Sequence, residues 1–169
     1  MKEIQIKEKA FDDPELSRAF RTACNVLGYA DRTEGYLREK LNGKKYDPEI
    51  VERVISMMKE KGFLNEERML LRQVEYMSRV KLWGKRRILY EIPQKGYTKE
   101  TLASFDIGCE ELSSIDYVEN CVKLIGKKKE EDPGKLFAFL TQYGYSGDEI
   151  RRAMKIARER KEEEEEEEE

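Results

Sequence analysis

Three stretches of this chain can be laid on one another, and that self-similarity constrains the fold more than any other feature. Each centres on a tyrosine followed by a helix-capping residue: Tyr46 before Asp47, Tyr97 before Thr98 and Tyr145 before Ser146, spaced by 51 and 48 residues. Nine positions before the tyrosine stand Leu37, Ile88 and Leu136; five before stand Leu41, Ile92 and Leu140; five after stand Val51, Leu102 and Ile150. The four-residue step between the first two sets places them on one helix face. Gly96 and Gly144 end that helix in two of the copies, the aromatic plugs the corner, and the capped segment opens a second helix. A further amphipathic helix precedes each pair, as in Leu16, Phe20, Ala23 and Leu27. A unit of this size cannot bury its apolar face alone and must stack on its neighbours. The expectation is an all-α fold: a tandem array of three three-helix repeats, elongated and curved.

The repeats are bounded at 14–63, 64–107 and 108–161, preceded by a flexible arm over 1–13 and followed by an acidic disordered tail over 162–169. Helices are expected over 14–28, 33–43 and 47–61, then 65–80, 84–95 and 98–106, then 113–126, 133–143 and 147–160. Caps fall at Thr33, Asp47, Ser113, Asp132 and Ser146. Pro93 removes an amide donor just after the core position Ile92, so an early or bent helix end is predicted there. The longest connection, around Phe105–Leu112, is read as a hinge.

Charged residues make up 41% of the chain, against about 25% in ordinary domains, which favours economical amphipathic helices over a large apolar core. The formal charge of −3 hides a division. Eight of the 36 acidic residues are the run Glu162–Glu169, so the remaining body holds 33 basic against 28 acidic residues. The run repels itself at neutral pH and should be disordered or, at most, a frayed extension of the last helix. It reads either as a solubility tail or as a polyanion mimic that competes for the basic surface.

No histidine occurs, which removes the commonest general acid/base, the Ser-His and Cys-His nucleophiles and every histidine-ligated metal site. Cys24, Cys109 and Cys121 form no CxxC pair and read as buried reduced thiols. No cofactor or metal is expected. The start of the chain has no signal-peptide core and no window is apolar enough to cross a membrane, so the expected location is cytoplasmic.

Positive charge gathers in two places. From Arg72 to Lys95 there are seven basic residues and two acidic ones, and from Arg151 to Lys161 six basic residues accompany only Glu159. The candidate partner- or DNA-binding residues are Arg79, Lys81, Lys85, Arg86 and Arg87 in the middle repeat, with Arg151, Arg152, Lys155 and Arg158 in the last. Such groups engage phosphate or carboxylate. A solvated helix face would carry the same charges, and charge alone does not separate the two. Trp83 reads as a core anchor more than as a stacking platform.

Lys61-Gly62-Phe63-Leu64-Asn65-Glu66-Glu67-Arg68, followed by Trp83-Gly84-Lys85-Arg86-Arg87-Ile88 and by Lys95-Gly96-Tyr97, resembles the core signature of the RecX family. Thr33–Leu41 resembles the helix of the family's first repeat, and Phe137–Ile150 its closing segment; together the resemblance covers roughly residues 14–158. Asn65 stands where the family usually has aspartate, Met69 near its usual aromatic, Pro93 is unexpected, and the glutamate run is no family hallmark. The resemblance implies a non-enzymatic, elongated, all-helical regulator that lies in the groove of the RecA filament on DNA, and the expected state is a monomer. There it restrains ATP hydrolysis, strand exchange and the co-protease activity that triggers the SOS response.

Three other readings compete. A stand-alone DNA-binding protein would use the helix around Lys85–Tyr90 or Arg151–Arg158, but its cations would mainly meet phosphate and no base-reading Asn or Gln stands among them. An enzyme would need its carboxylates, Cys109 or Cys121, with no histidine partner; Gly84-Lys85 lacks the glycine and hydroxyl residues of a P-loop. A purely structural helical scaffold would have no effect on RecA.

Overall fold

Nearly every helix in the computed structural model, which describes residues 13–167, begins where a side-chain oxygen can satisfy free amides. Asp13 caps α1 (Pro14–Tyr29), Thr33 caps α2 (Glu34–Gly43) and Asp47 caps α3 (Pro48–Glu60). Asn65 accepts from the Arg68 amide at 2.8 Å to open α4 (Glu66–Arg79). Gly84, with no side chain to cap, precedes α5 (Lys85–Glu91). Thr98, Asp116 and Asp132 cap α6 (Lys99–Ser104), α7 (Tyr117–Lys128) and α8 (Pro133–Gln142). Before α9 (Gly147–Glu167), the Ser146 amide donates to Glu149 Oε2 at 2.7 Å while Glu149 N donates back to Ser146 Oγ at 3.3 Å, a closed capping box. No strand occurs among the described residues.

Three helix ends have local causes. Pro93 ends α5 at Glu91, and Ile92–Lys95 tightens into a 3₁₀ turn, the early end that its missing amide requires. The seventh helix starts at Tyr117 instead of 113, because the Ser113 hydroxyl donates to Glu110 O at 2.6 Å and closes a separate 3₁₀ turn, leaving Asp116 to cap. The acidic run, expected as a disordered tail or at most a frayed extension of the last helix, is helical through Glu167. Lysine and glutamate are good helix formers, and Lys161 reaches Glu165 at 3.6 Å one turn on, which supports the extension against like-charge repulsion. The expected N-terminal arm, save Asp13, and the last two glutamates lie outside the described residues.

Contacts divide the chain into two units: residues up to Leu70 with Lys95–Phe105, and Leu71–Gln94 with residues from Asp106 onward. The segment 64–107, read as the middle repeat, contributes to both. In the first unit α1, α2 and α3 pack on one another around Phe20, Leu37, Leu41, Val54 and Met58. In the second, α7 lies along α9 and α8 packs on α9, with Cys121, Leu140, Tyr145 and Ile150 wholly or nearly buried. Eight of the nine repeat positions are buried; the ninth, Leu102, is half-buried on a helix of only six residues.

Candidate partner interface

The cationic window at the start of α5 is shaped by two glycines. Gly144 takes a φ of +92°, a left-handed backbone that lets the turn after α8 fold over the start of α5. A Cβ on Gly84 would stand 2.4 Å from the Gly144 carbonyl, and one on Gly144 would stand 2.4 Å from the Arg87 amide. The backbones meet directly: Gly84 N donates to Tyr143 O at 2.8 Å and Arg86 N to Gly144 O at 3.2 Å. Tyr145, fully buried, donates its hydroxyl to Leu82 O at 2.7 Å, and Leu82 itself adopts a φ of +53°. That closure fixes the direction in which residues 81–87 leave the helix end.

All nine cationic residues singled out from sequence fall in the second unit. Trp83 is half-buried, not a core anchor: Lys81 Nζ sits 4.4 Å and the Arg87 guanidinium 4.2 Å from its ring centroid, so it forms the middle of a cation–aromatic stack. Arg87 also lies 5.4 Å from the Tyr143 ring and Lys85 lies 5.0 Å from that of Tyr117. Arg79 donates to Ser114 Oγ at 2.7 Å. Arg86 is exposed. On α9 the cations are exposed and pair within their own helix, Arg151 with Asp148 and Lys155 with Glu159, while Arg152 and Arg158 face solvent. The first set is thus organised around aromatic rings, the second is a charged helix face.

Several further cations were not singled out from sequence. Lys127 and Lys128 end α7, and Lys128 Nζ lies 5.0 Å from the Phe139 ring. In the first unit Arg32 and Lys40 flank the Tyr36 ring at 4.9 and 5.1 Å. In the repeat register Arg32 corresponds to Trp83 and Tyr36 to Arg87, so the same two positions carry a cation–aromatic pair in reversed order.

Cys121 is buried and its thiol is pushed up to about 12, first by burial and then by Glu149, so it stays protonated at neutral pH. Tyr117 is raised to about 12 for the same two reasons. Among the described residues no group of three cysteine, aspartate or glutamate side chains could hold a metal, and no helix is long and apolar enough to cross a membrane.

Comparison with known proteins agrees with this architecture. Residues 19–56 match the family described as RecX, first three-helix domain. The regulatory protein RecX of Clostridium botulinum (strain Alaska E43 / Type E3) is 34% identical over 139 residues, covering 75% of this chain and 62% of the relative. That of Clostridioides difficile (strain 630) is 29% identical over 151 residues, covering 85% and 69%. This chain belongs to the RecX family. The crystal structure of RecX from Lactobacillus salivarius shares its fold with a TM-score of 0.68, covering 85% of this chain and 96% of that one at 18% identity. The chain thus spans 62% to 69% of the length of these two sequence relatives.

The RecX signature acquires physical meaning in two places. Trp83-Gly84-Lys85-Arg86-Arg87 is the segment that the Gly144 turn clamps. In Asn65-Glu66-Glu67-Arg68, Glu66 is a buried carboxylate that closes two helix starts. Its Oε1 accepts from Glu34 N at 2.7 Å, and its Oε2 accepts from Thr98 N at 2.8 Å, the Thr98 hydroxyl at 2.8 Å and the Thr101 hydroxyl at 2.9 Å. Burial pushes this carboxyl up, but the four hydrogen bonds outweigh it and hold it below the usual carboxylate range. Glu34 beside it is paired with Lys59 at 2.9 Å and Arg38 at 3.0 Å.

Proposed function

We propose that this chain is a non-enzymatic regulator that binds the RecA filament on DNA and mostly inhibits its ATPase, recombinase and co-protease activities, acting as a cytoplasmic monomer. The observation that carries the reading is family membership with relatives named regulatory proteins. The second unit supplies a physical means: Lys81, Lys85, Arg86 and Arg87 crowd one helix start and α9 adds four exposed cations, a surface suited to acidic protein faces and to DNA phosphate. The absence of histidine and the inert state of Cys121 fit a protein that acts by occupancy.

The test is DNA-stimulated ATP hydrolysis by a bacterial RecA at fixed single-stranded DNA and salt, titrated with this protein. Inhibition at protein levels well below DNA saturation is expected. Arg86→Glu combined with Arg152→Glu should weaken inhibition while moving unfolding free energy by less than about 1 kcal/mol, since both residues are exposed. Unchanged hydrolysis beside tight, salt-sensitive DNA binding would favour a stand-alone DNA-binding protein. Truncation after Lys161 should strengthen binding to the filament if the glutamates compete for the basic surface.

A further inference from the structure

Two charged features of the second unit have no partner in their own copy of the chain. One is the end of α9, where Glu162–Glu166 are exposed and, apart from the Glu165 pair with Lys161, make no ion pair among the described residues. The other is a cavity of about 400 Å³ where the segment after α4 meets the ends of α7 and α8. Its rim carries Lys81, Lys127 and Lys128, and no carboxylate lines it. None of these three lysines is ion-paired among the described residues, whereas Arg151 and Lys155 on α9 already hold acids of their own helix.

The helical form of the acidic run keeps the two features apart. Tyr143 lines the groove just ahead of α9, which opens at Gly147. From there α9 packs on α7, and Arg160 reaches Glu119 in the first turn of α7 at 2.8 Å, whereas Lys127 and Lys128 stand in its last turn. At 1.5 Å per residue a straight helix carries Glu162 roughly 22 Å beyond its own start. The run therefore points away from the groove that its charge would fit.

We propose that this groove takes the acidic end of α9 from a second copy of the chain, so that copies associate head to tail. Charge selects this occupant: a rim of unpaired lysines faces a run of unpaired glutamates. Glu162 and Glu166, four residues apart, offer two carboxylates on one helix face. The apolar floor of Leu82, Phe139 and Tyr143 accepts their methylene stems, and Lys128 Nζ, 5.0 Å from the Phe139 ring, stands at its edge to meet a carboxylate. The two surfaces are unlike, so one contact leaves a free groove on one copy and a free tail on the other. Exposed ion pairs are individually weak, so the contact forms at high concentration and low salt and releases single chains on dilution. Association covers Lys81, one of the candidate partner cations, and holds surplus chain in reserve while the monomer remains the acting form. That regulatory consequence rests on the functional reading above; the association itself does not.

Lysines at a helix C-terminus also complement the helix dipole, so Lys127 and Lys128 have a folding role open to them. The dipole role is indifferent to the tail, and the experiment separates the two. Sedimentation equilibrium of the full chain is measured over a concentration series at about 0.1 M and about 1 M salt, where the Debye length is about 10 and 3 Å. The average mass should rise with concentration at the lower salt and return to that of one chain at the higher. A chain ending at Lys161 should stay single, as should a full-length Lys127→Glu, Lys128→Glu variant. Mixed in equal amounts, these two should form a pair and stop there, one supplying the groove and the other the tail. Thermal melts establish that the variants are folded, and Lys127→Gln with Lys128→Gln replaces the charge reversal if that variant melts early. A parent that stays single at the lower salt overturns the proposal, as does a chain without the tail that associates like the parent. A mixture that remains single while the parent associates also overturns it, as does association that nuclease treatment abolishes, which would place nucleic acid between the copies. Inhibition of RecA by a parent chain that is single at every concentration overturns this inference alone and leaves the regulator reading standing.

Discussion

Two corners of the molecule, one in each unit, are made by the same stretch of the repeat and held shut by different chemistry. In the first unit Gly96-Tyr97-Thr98 lies against the start of α2; in the second, Gly144-Tyr145-Ser146 lies against the start of α5. The register pairs Thr33 with Gly84, Gly96 with Gly144 and Thr98 with Ser146. At the first corner a Cβ on Gly96 would stand 3.6 Å from Thr33 Oγ1, an ordinary contact, and the carboxylate of Glu66 bridges the two helix starts. At the second there is no room for a Cβ on either glycine, the backbones hydrogen-bond directly, and Ser146 takes its carboxylate from Glu149 in its own helix. A threonine cap holds two backbones apart, and a buried anion must then satisfy the amides between them. A glycine cap lets the backbones satisfy each other.

The largest expected effect breaks the second corner. Gly144→Ala forces a non-glycine residue to a φ of +92° and drives its Cβ into the Arg87 backbone, so the left-handed cost of ~1–2 kcal/mol adds to a backbone displacement of ~1–3 kcal/mol. Gly84→Ala drives its Cβ into the Gly144 carbonyl and should cost a comparable displacement. Gly96→Ala, at a φ of +80° with only an ordinary contact of 3.6 Å for its Cβ, should lose only the ~1–2 kcal/mol conformational term. Urea unfolding of the three variants ranks them directly. A Gly144→Ala variant no less stable than Gly96→Ala would sink the direct-contact account of the second corner.

Next in size is the loss of the bridging carboxylate. Glu66→Ala leaves two amides and two hydroxyls without their acceptor in a buried site, a cost of about 2–4 kcal/mol, and Glu66→Gln should recover part of it because one amide oxygen remains. The same group makes the first corner sensitive to acid. Its folded pKa is depressed, so its contribution is complete above the unfolded value of about 4.3 and is lost as pH falls through the lower folded value. Glu52, beside Arg38, and Glu119, beside Arg160, are also lowered and act in the same direction. The informative quantity is therefore the difference between parent and Glu66→Gln across pH 2 to 5, a window around that unfolded carboxylate value. It should shrink as pH falls. A difference that stays constant would mean that Glu66 holds the corner by packing and not by charge.

The fold was legible because its evidence is local or periodic. Apolar residues at steps of three and four mark the helices, Asp and Thr caps mark their starts, and the tyrosine register marks the repeat, all within windows of a dozen residues. The joints were not legible, since Glu66 meets Glu34 and Thr98 at separations of 32 residues and no local pattern distinguishes it from the exposed Glu67 beside it. Trp83 has apolar neighbours in sequence, which suggested a core anchor; only the tertiary position of Arg87 and Lys81 shows it to be the centre of a stack. The acidic run, read as disordered or at most a frayed extension of the last helix, continues α9, with Lys161 paired to Glu165 at its start. Of the candidate cations, seven are exposed, whereas Lys81 and Arg87 lie half-buried against Trp83, a placement set by tertiary contacts and not by any local pattern.

The smallest expected effect concerns the remaining copy of this corner, the one in the first repeat. The residue before the turn tyrosine is left-handed in all three repeats: Lys45 at a φ of +62°, Gly96 at +80° and Gly144 at +92°. Only the first copy pays for this backbone with a side chain, and its tyrosine, Tyr46, is half-buried with its hydroxyl 2.9 Å from that of Thr22. Lys45→Gly removes a left-handed penalty of ~1–2 kcal/mol and adds ~0.5–1 kcal/mol of chain entropy to the unfolded state. A net gain of about 0.5–1 kcal/mol follows, a rise in melting temperature of roughly 1–4 °C for a chain of this length. Thermal unfolding of that single variant measures what a side chain costs at a corner where nothing packs against it. An unchanged or lower melting temperature would show that the stem of Lys45 contributes contacts of its own, and that the Lys45 corner differs from the other two in packing as well as in residue type.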